Sequence, residues 1–330
     1  MTGSTTSSQT AVRPLRGGGL LRAMHAVLPL GRQYHPLYSL CNPAHGLVAV
    51  PFGPFHLVQP AGWGKHNTKV LLTGSGMIPE FELLAPIVRQ LERGSLIDVG
   101  ANVGLYTLCL RSVSKLPIIA YEPQPFLFRL LNETIRHNTL TDVDARNLAC
   151  GATRGEVPFH IGINGAVATG DAAAKATTAR PDGDWDQDAR AVVEERPVVK
   201  VPVVPLDEDL AGVREIALLK IDCEGFEGGI LQGAKQTIER HRPVLFLEIH
   251  PTELPKFGSS VGDVVNFLSP YYEMEFWSFE HDWPTTKLGQ SLAKFKRRHG
   301  YRYPDLPAML ADTAQERRPS QVYCVGRPNR

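Results

Sequence analysis

Leu96-Ile97-Asp98-Val99-Gly100-Ala101-Asn102-Val103-Gly104 is an apolar run that passes straight into small residues. Val103, Tyr106, Leu110 and Val113 then follow near helical spacing, so the stretch reads as strand, tight loop and helix. Gly100 and Gly104 lack a Cβ, which lets the loop turn sharply and lets a ligand touch its backbone. About eighteen residues after Gly104 a second apolar run, Pro117 to Tyr121, ends in Glu122-Pro123. That is the length of one βαβ unit, and it puts a carboxylate where it can accept hydrogen bonds from ribose hydroxyls.

Outward from this unit the alternation continues. Val143 to Asn147, Ala217 to Ile221 and Val244 to Ile249 read as further strands, with later ones at Tyr271 to Phe279 and Gln321 to Val325. Pro125 to Asn138 reads as an amphipathic helix carrying Phe126, Leu127, Leu130, Leu131 and Ile135. Strand, turn, helix, strand is the sequence form of a parallel α/β sheet. Gly225, Gly229 and Gly233, four apart, suggest a helix with a flat stripe for close backbone approach. Asn164 to Arg196, rich in Ala and Asp, reads as an inserted loop, and Trp283 to Pro319 as a second insertion. Residues 1–79 read as an N-terminal extension whose Leu47 to Val50 and Val70 to Leu72 are β-like pieces of a small cap, and residues 80–330 as the main domain.

The loop has the form Asp-x-Gly-x-Asn-x-Gly, with the acid inside the strand, rather than the dinucleotide form Gly-x-Gly-x-x-Gly. That favours S-adenosylmethionine, whose ammonium suits Asp98 and the loop carbonyls and which has no pyrophosphate to bind. A Rossmann-like NAD-dependent oxidoreductase is the competing reading of the fold. Lys220, Asp222 and Glu224 alternate at the end of another apolar strand, so an extended backbone would put them on one face, where charges must pair or meet a ligand. The next strand ends in Glu248-Ile249-His250-Pro251, which makes His250 the candidate general base.

Together these segments resemble the FkbM-type family of S-adenosylmethionine-dependent methyltransferases. The matching pieces are the Asp98 to Gly104 loop, Tyr121-Glu122-Pro123 with Asn132 and Asn138, Asn147-Leu148-Ala149, Lys220 to Glu227 with Leu231-x-Gly233-Ala234, and Arg242-Pro243 to Glu248. The resemblance implies a Rossmann-like class I methyltransferase fold, a mostly parallel seven-stranded sheet with helices on both faces, and O-methylation of a hydroxyl on a sugar, glycan or secondary metabolite. On that reading Asp98, Gly100, Ala101, Asn102 and Gly104 hold the methionine half and Glu122 with Pro123 the ribose. Asn147 and Ala149 lie near the adenine, while Asp222, Glu224, His250 and Lys220 face the acceptor. Metal-free transfer is the expectation; Mg²⁺ or Mn²⁺ held by Asp222, Glu248 and His250 is the alternative.

Composition narrows the partners. Thirty-five Lys and Arg against 34 Asp and Glu give a formal net charge of +1, which argues against nucleic acid as the main partner. Locally, Lys294, Lys296, Arg297, Arg298 and Arg302 interleave with Phe295, Tyr301 and Tyr303, the mix an RNA methyltransferase or other nucleic-acid-binding protein would use to hold phosphates and stack bases. No Asp or Glu precedes Glu80, so the extension is cationic, and with Leu20 to Leu30 it suits contact with an anionic membrane surface. Leu20 to Leu30, interrupted by Arg22 and His25, is too short to span a bilayer. Five scattered cysteines without a Cys-x-x-Cys pair fit a reducing cytoplasm, and nothing in the sequence sets an oligomeric state.

Overall fold

A strand that is apolar on both faces needs a layer on each side, and β1 (Ser95–Val99) is such a strand, with Leu96, Ile97 and Val99 all buried. The computed structural model describes residues 11–27, 34–74, 78–163, 165–178, 184–279, 300–314 and 321–329. It places β1 in one sheet with β2 (Ile118–Tyr121), β3 (Val143–Arg146), β4 (Ile216–Asp222), β5 (Val244–Ile249), β6 (Tyr272–Ser278) and β7 (Val322–Pro328). The spatial order is β3-β2-β1-β4-β5-β7-β6, and a two-residue strand, Tyr301–Arg302, extends the β6 edge. Neighbours from β3 through β5 are parallel, and β7 runs antiparallel to both β5 and β6. This is the Rossmann-like, mostly parallel seven-stranded sheet that the sequence implied.

Successive side chains leave opposite faces of a strand, and two cores result. Ile97, Val99, Leu219, Ile221, Leu245 and Leu247 join one; Leu96, Leu218, Phe246 and Val325 join the other. The helix Pro125–His137, started by Pro125, buries Phe126, Leu127, Leu130, Leu131 and Thr134, the spacing of a single helical face.

The N-terminal segment shares the second core, since Leu21, Tyr38, Leu47 and Val50 pack in the same cluster as Leu96 and Leu130. Its hairpin, Leu47–Phe52 with Phe55–Pro60, is tied to the helix Pro125–His137. The Val58 amide donates to Thr134 Oγ1 at 3.0 Å, and Asn138 Nδ2 donates to the His56 carbonyl at 2.6 Å. Val70 to Leu72, read as β-like, is instead helical within Gly64–Thr73, because Asn67, Val70 and Leu71 fall at i, i+3, i+4 and bury one helix face. Of Leu20 to Leu30, residues 20–27 lie in the helix Gly18–Val27 and residues 28–30 fall outside the described residues. Among the described residues no helix is long and apolar enough to cross a membrane.

Three further expectations are corrected. The described part of Asn164 to Arg196 is largely folded: a strand at Ala166–Val167, a helix at Gly170–Ala174, a strand at Thr177–Thr178 and a helix at Trp185–Arg190. Its strands, two residues each, are below the length at which alternation can be read. They complete a second, five-stranded sheet around Gly155–His160 and Val198–Val204, which the sequence reading missed, with Ala149–Cys150 pairing to Val203 and Val204. The glycine-striped helix is in fact only Glu227–Gln232: Gly225 precedes it with φ +99°, and Gly233 caps it. Close approach does occur at Gly233, where a Cβ would stand 1.9 Å from the Gly151 carbonyl oxygen. Within Trp283 to Pro319, the described residues 300–314 hold the strand Tyr301–Arg302 and the helix Leu306–Thr313. Lys294, Phe295, Lys296, Arg297 and Arg298 lie outside the described residues; Arg302 pairs with Glu275 at 2.9 Å, Tyr303 is buried and Tyr301 is exposed.

Candidate active site

Strand register sets the charges at the carboxyl edge of the sheet. Lys220 on β4 lies directly beside Asp98 on β1, on the same face. Its Nζ is 3.0 Å from Asp98 Oδ1 and donates to the carbonyls of Val99 at 3.3 Å and Gly100 at 3.1 Å. Asp98, fully buried, also accepts from Thr107 Oγ1 at 2.7 Å. Burial pulls the Lys220 ammonium down, but Asp98 and Asp222 more than offset this and hold it above the ordinary lysine range. Lys220 is thus a pin that fixes the β1 loop from behind.

In front of that loop, at the point where strand order reverses between β1 and β4, a cleft of about 840 Å³, counting its open mouth, enters the carboxyl edge. Gly100, Asn102, Glu122 and Pro123 line one side, and Asp222, Glu224 and Glu248 the other. Leu148, Ala149, Cys150, Phe226 and Ile230 make an apolar end, which Phe159 and Val167 of the second sheet cover.

Gly100 has φ +81°, and a Cβ there would stand 2.0 Å from the Asp222 carbonyl oxygen, so the loops after β1 and β4 meet where no side chain fits. Glu122 at the end of β2 is held by two amides, Asn102 N–H on Oε2 and Gln124 N–H on Oε1, each at 2.8 Å. Burial pushes its carboxyl up to about 7, against those two amides, which favour the ionised form. Asn147 Nδ2 donates to the Glu122 and Pro123 carbonyls at 2.8 and 3.0 Å, which fixes the turn that carries the carboxylate. Asn102, itself at φ +52°, donates from Nδ2 to the Ile163 carbonyl at 2.6 Å and so ties the loop to the second sheet's side of the cleft.

Asp222, the last residue of β4, stands opposite Glu248 on β5, which stands opposite Tyr323 on β7. The extended backbone stops there. Glu224 has φ +48° and Gly225 φ +99°, so Glu224 reaches the cleft from a turn and not from the strand face expected for it. The turn delivers Glu227 to the start of the next helix, where Oε1 accepts the Gly225 amide at 3.0 Å and lies 2.8 Å from His250 Nδ1. His250 Nε2 is 3.6 Å from Glu224 Oε2 and 3.7 Å from Glu248 Oε1. Burial lowers the basicity of the imidazole, but the Glu227 hydrogen bond and the charges of Glu227, Asp222 and Glu248 raise it to about 10. Burial likewise raises Glu224, and burial and Asp222 raise Glu248.

The structure thus brings Gly100, Asn102, Glu122, Pro123, Ala149, Asp222 and Glu224 to one cleft. Asp98 and Lys220 sit behind it, paired with each other, so neither is presented to a ligand as the sequence reading had it. Ala101, Gly104, Asn147 and His250 lie outside the cleft wall; Gly104, at φ +98°, starts the helix Leu105–Val113. Sequence reasoning missed Gln124, Phe159, Phe226, Glu227 and Thr107. Phe226 and Glu227 left a trace, as members of the Lys220 to Glu227 segment to which no role was given.

A family model described as the methyltransferase FkbM domain matches residues 98–303, well over half of the chain. The chain is 26% identical over 144 residues to Methyltransferase 1 of Beauveria bassiana (strain ARSEF 2860), a match over 42% of this chain and 57% of that protein's length. The crystal structure of methyltransferase FkbM from Methylobacillus flagellatus KT is 20% identical, with a TM-score of 0.35, over 64% of this chain and 50% of that one. M. jannaschii TYW2 in complex with AdoMet is 11% identical, with a TM-score of 0.36, over 86% of each chain. The match spans the Asp98 to Gly104 loop and the strands from β2 to β6, and the chain belongs to the methyltransferase FkbM domain family.

Proposed function

We propose that the chain is an S-adenosylmethionine-dependent methyltransferase that methylates a hydroxyl oxygen of a small-molecule or glycan acceptor. The observation that carries this reading is Glu122: a buried carboxylate, oriented by two amides, facing a cleft beside a glycine loop that no side chain could occupy. Each of its oxygens accepts one amide and keeps a lone pair, which suits the two hydroxyls of a ribose. Leu148, Ala149, Cys150, Phe159 and Val167 suit an adenine, and the loop at Gly100 and Asn102 a methionine moiety. Asp98 acts through Lys220, holding the loop carbonyls in place.

Bound S-adenosylmethionine supplies an electrophilic methyl group on a positively charged sulfur. On the chain's side, Asp222 and Glu224 line the acceptor end, and Glu224, raised by burial, takes the hydroxyl proton as the oxygen–carbon bond forms and the carbon–sulfur bond breaks. Most of the acceleration comes from holding two reactants in line.

Calorimetric titration with S-adenosylhomocysteine tests this. Saturable binding is expected in the wild type, with loss in Glu122→Ala; silence with this ligand alongside saturable NAD binding would overturn the proposal. Acceptors are then screened among hydroxylated glycans and small molecules with a labelled methyl donor.

A further inference from the structure

We propose that Asp222, Glu248 and His250 form a binding site for one divalent metal ion, with Glu227 as the carboxylate that orients the imidazole. Each of the three offers a donor atom, and these atoms all lie within 4.8 Å of one another. The pairing of β4 with β5 puts Asp222 beside Glu248, and His250 follows where β5 has ended.

The imidazole separates a site from a mere cluster of acids. His250 is 3% exposed, and its Nε2 is buried with no hydrogen-bond partner. It is aimed between Glu224 Oε2 and Glu248 Oε1 at 3.6 and 3.7 Å, too far to hydrogen-bond either. Two atoms each about 2.1 Å from one ion, in tetrahedral or octahedral geometry, stand roughly 3.0–3.5 Å apart. The three proposed ligand atoms lie within 4.8 Å of one another, so an ion draws them together by side-chain rotation. On the other side of the ring Nδ1 is held by Glu227 at 2.8 Å, the carboxylate–histidine arrangement that fixes the tautomer and leaves the Nε2 lone pair for a metal. Glu227 is fully buried and does not line the cleft, and the same Oε1 also accepts the Gly225 amide at 3.0 Å.

Two carboxylates and one imidazole make a hard-to-borderline donor set, suited to Mn²⁺, Fe²⁺ or Zn²⁺ more than to a thiolate-seeking ion. Asp222 and Glu248 also line the cleft, so the ion would border the space assigned above to the acceptor and lower the acidity barrier of its hydroxyl. That use rests on the methyltransferase reading; binding of the metal does not. The proposal takes up the metal alternative that the sequence reading set second to metal-free transfer.

The test uses the full chain, stripped with chelator and titrated with MnCl₂ while free Mn²⁺ is followed by electron paramagnetic resonance. One saturable ion per chain is expected, lost in His250→Gln and Asp222→Asn and weakened about 10–100-fold in Glu227→Gln. On the wild type, pulsed spectra are expected to show ¹⁴N coupling from an imidazole, a readout that needs no variant to fold. Absence of saturable binding, or saturable binding without ¹⁴N coupling, overturns the site. S-adenosylhomocysteine titration of the stripped chain separates the two proposals: binding of this ligand without Mn²⁺ binding sinks the metal site alone, and the converse sinks the methyl-donor reading alone.

Discussion

Replacing Lys220 by Met keeps most of the side chain's length and removes its charge. Asp98 is fully buried and Lys220 is 1% exposed, so the substitution leaves an acid in the core without its basic partner, hydrogen-bonded by Thr107. Breaking a buried pair in this way costs about 3–5 kcal/mol, and the Val99 and Gly100 carbonyls, which lose a donor, push the figure toward its upper end. Asp98→Asn combined with Lys220→Met removes both charges and is expected to recover about 1–3 kcal/mol relative to the sum of the single changes. Urea unfolding followed by tryptophan fluorescence and circular dichroism measures each value, provided the two transitions coincide. A Lys220→Met loss below about 1 kcal/mol, or strict additivity in the double variant, would refute the pin. So would an Asp98→Asn variant with unchanged stability and no affinity for S-adenosylhomocysteine, the behaviour of a direct ligand to the ammonium.

Three other outcomes are expected. Glu122, held at about 7 by burial, must be ionised to accept two hydroxyls, so S-adenosylhomocysteine affinity should rise about 10-fold from pH 6 to pH 8 and be flat in Glu122→Gln by calorimetry. The sign for stability is opposite: because the folded value is raised, Glu122 favours the folded state below its unfolded value and loses that contribution as pH rises through about 7, a slope visible in urea midpoints. Gly100→Ala combines a left-handed backbone, about 1–2 kcal/mol for Ala, with a 2.0 Å contact to the Asp222 carbonyl, and should abolish binding, whereas Gly212→Ala, with nothing within 4 Å, should not. Phe159→Ala should weaken binding about 2- to 10-fold, from the loss of an aromatic contact worth about 0.5–1.5 kcal/mol; an unchanged affinity would place the adenine elsewhere.

What the residues reveal before folding follows the length over which a pattern repeats. β1, β2 and β5 are continuous apolar runs ended by Gly, Glu-Pro or His-Pro, and their bounds were legible to within a residue. The second sheet was not legible: three of its strands have two residues, and its longest, Val198–Val204, contains Lys200 and Pro202. Glu122 was legible because a strand end followed by Pro fixes direction as well as place. Asp98 was legible as a buried acid at a strand end, but its partner depended on β1 and β4 lying side by side, a register that pairs residues 122 positions apart in the chain. His250 was found by position, while its contact with Glu227 depended on the left-handed turn at Glu224 and Gly225.

The placement of β7 between β5 and β6 has a consequence for how the chain matures. β5 ends at Ile249 and β7 starts at Val322, and in that interval the outer edge of β5 and the inner edge of β6 have no backbone partner. At a synthesis rate of 5–20 residues per second the interval lasts roughly 4–15 s. During it the edge of β5, joined by that of β6 once Ser278 has been made, lies open to any extended segment that passes. A nascent chain is thus most vulnerable to edge-to-edge aggregation late in its synthesis, after the Gly100 loop and most of the sheet have already been made.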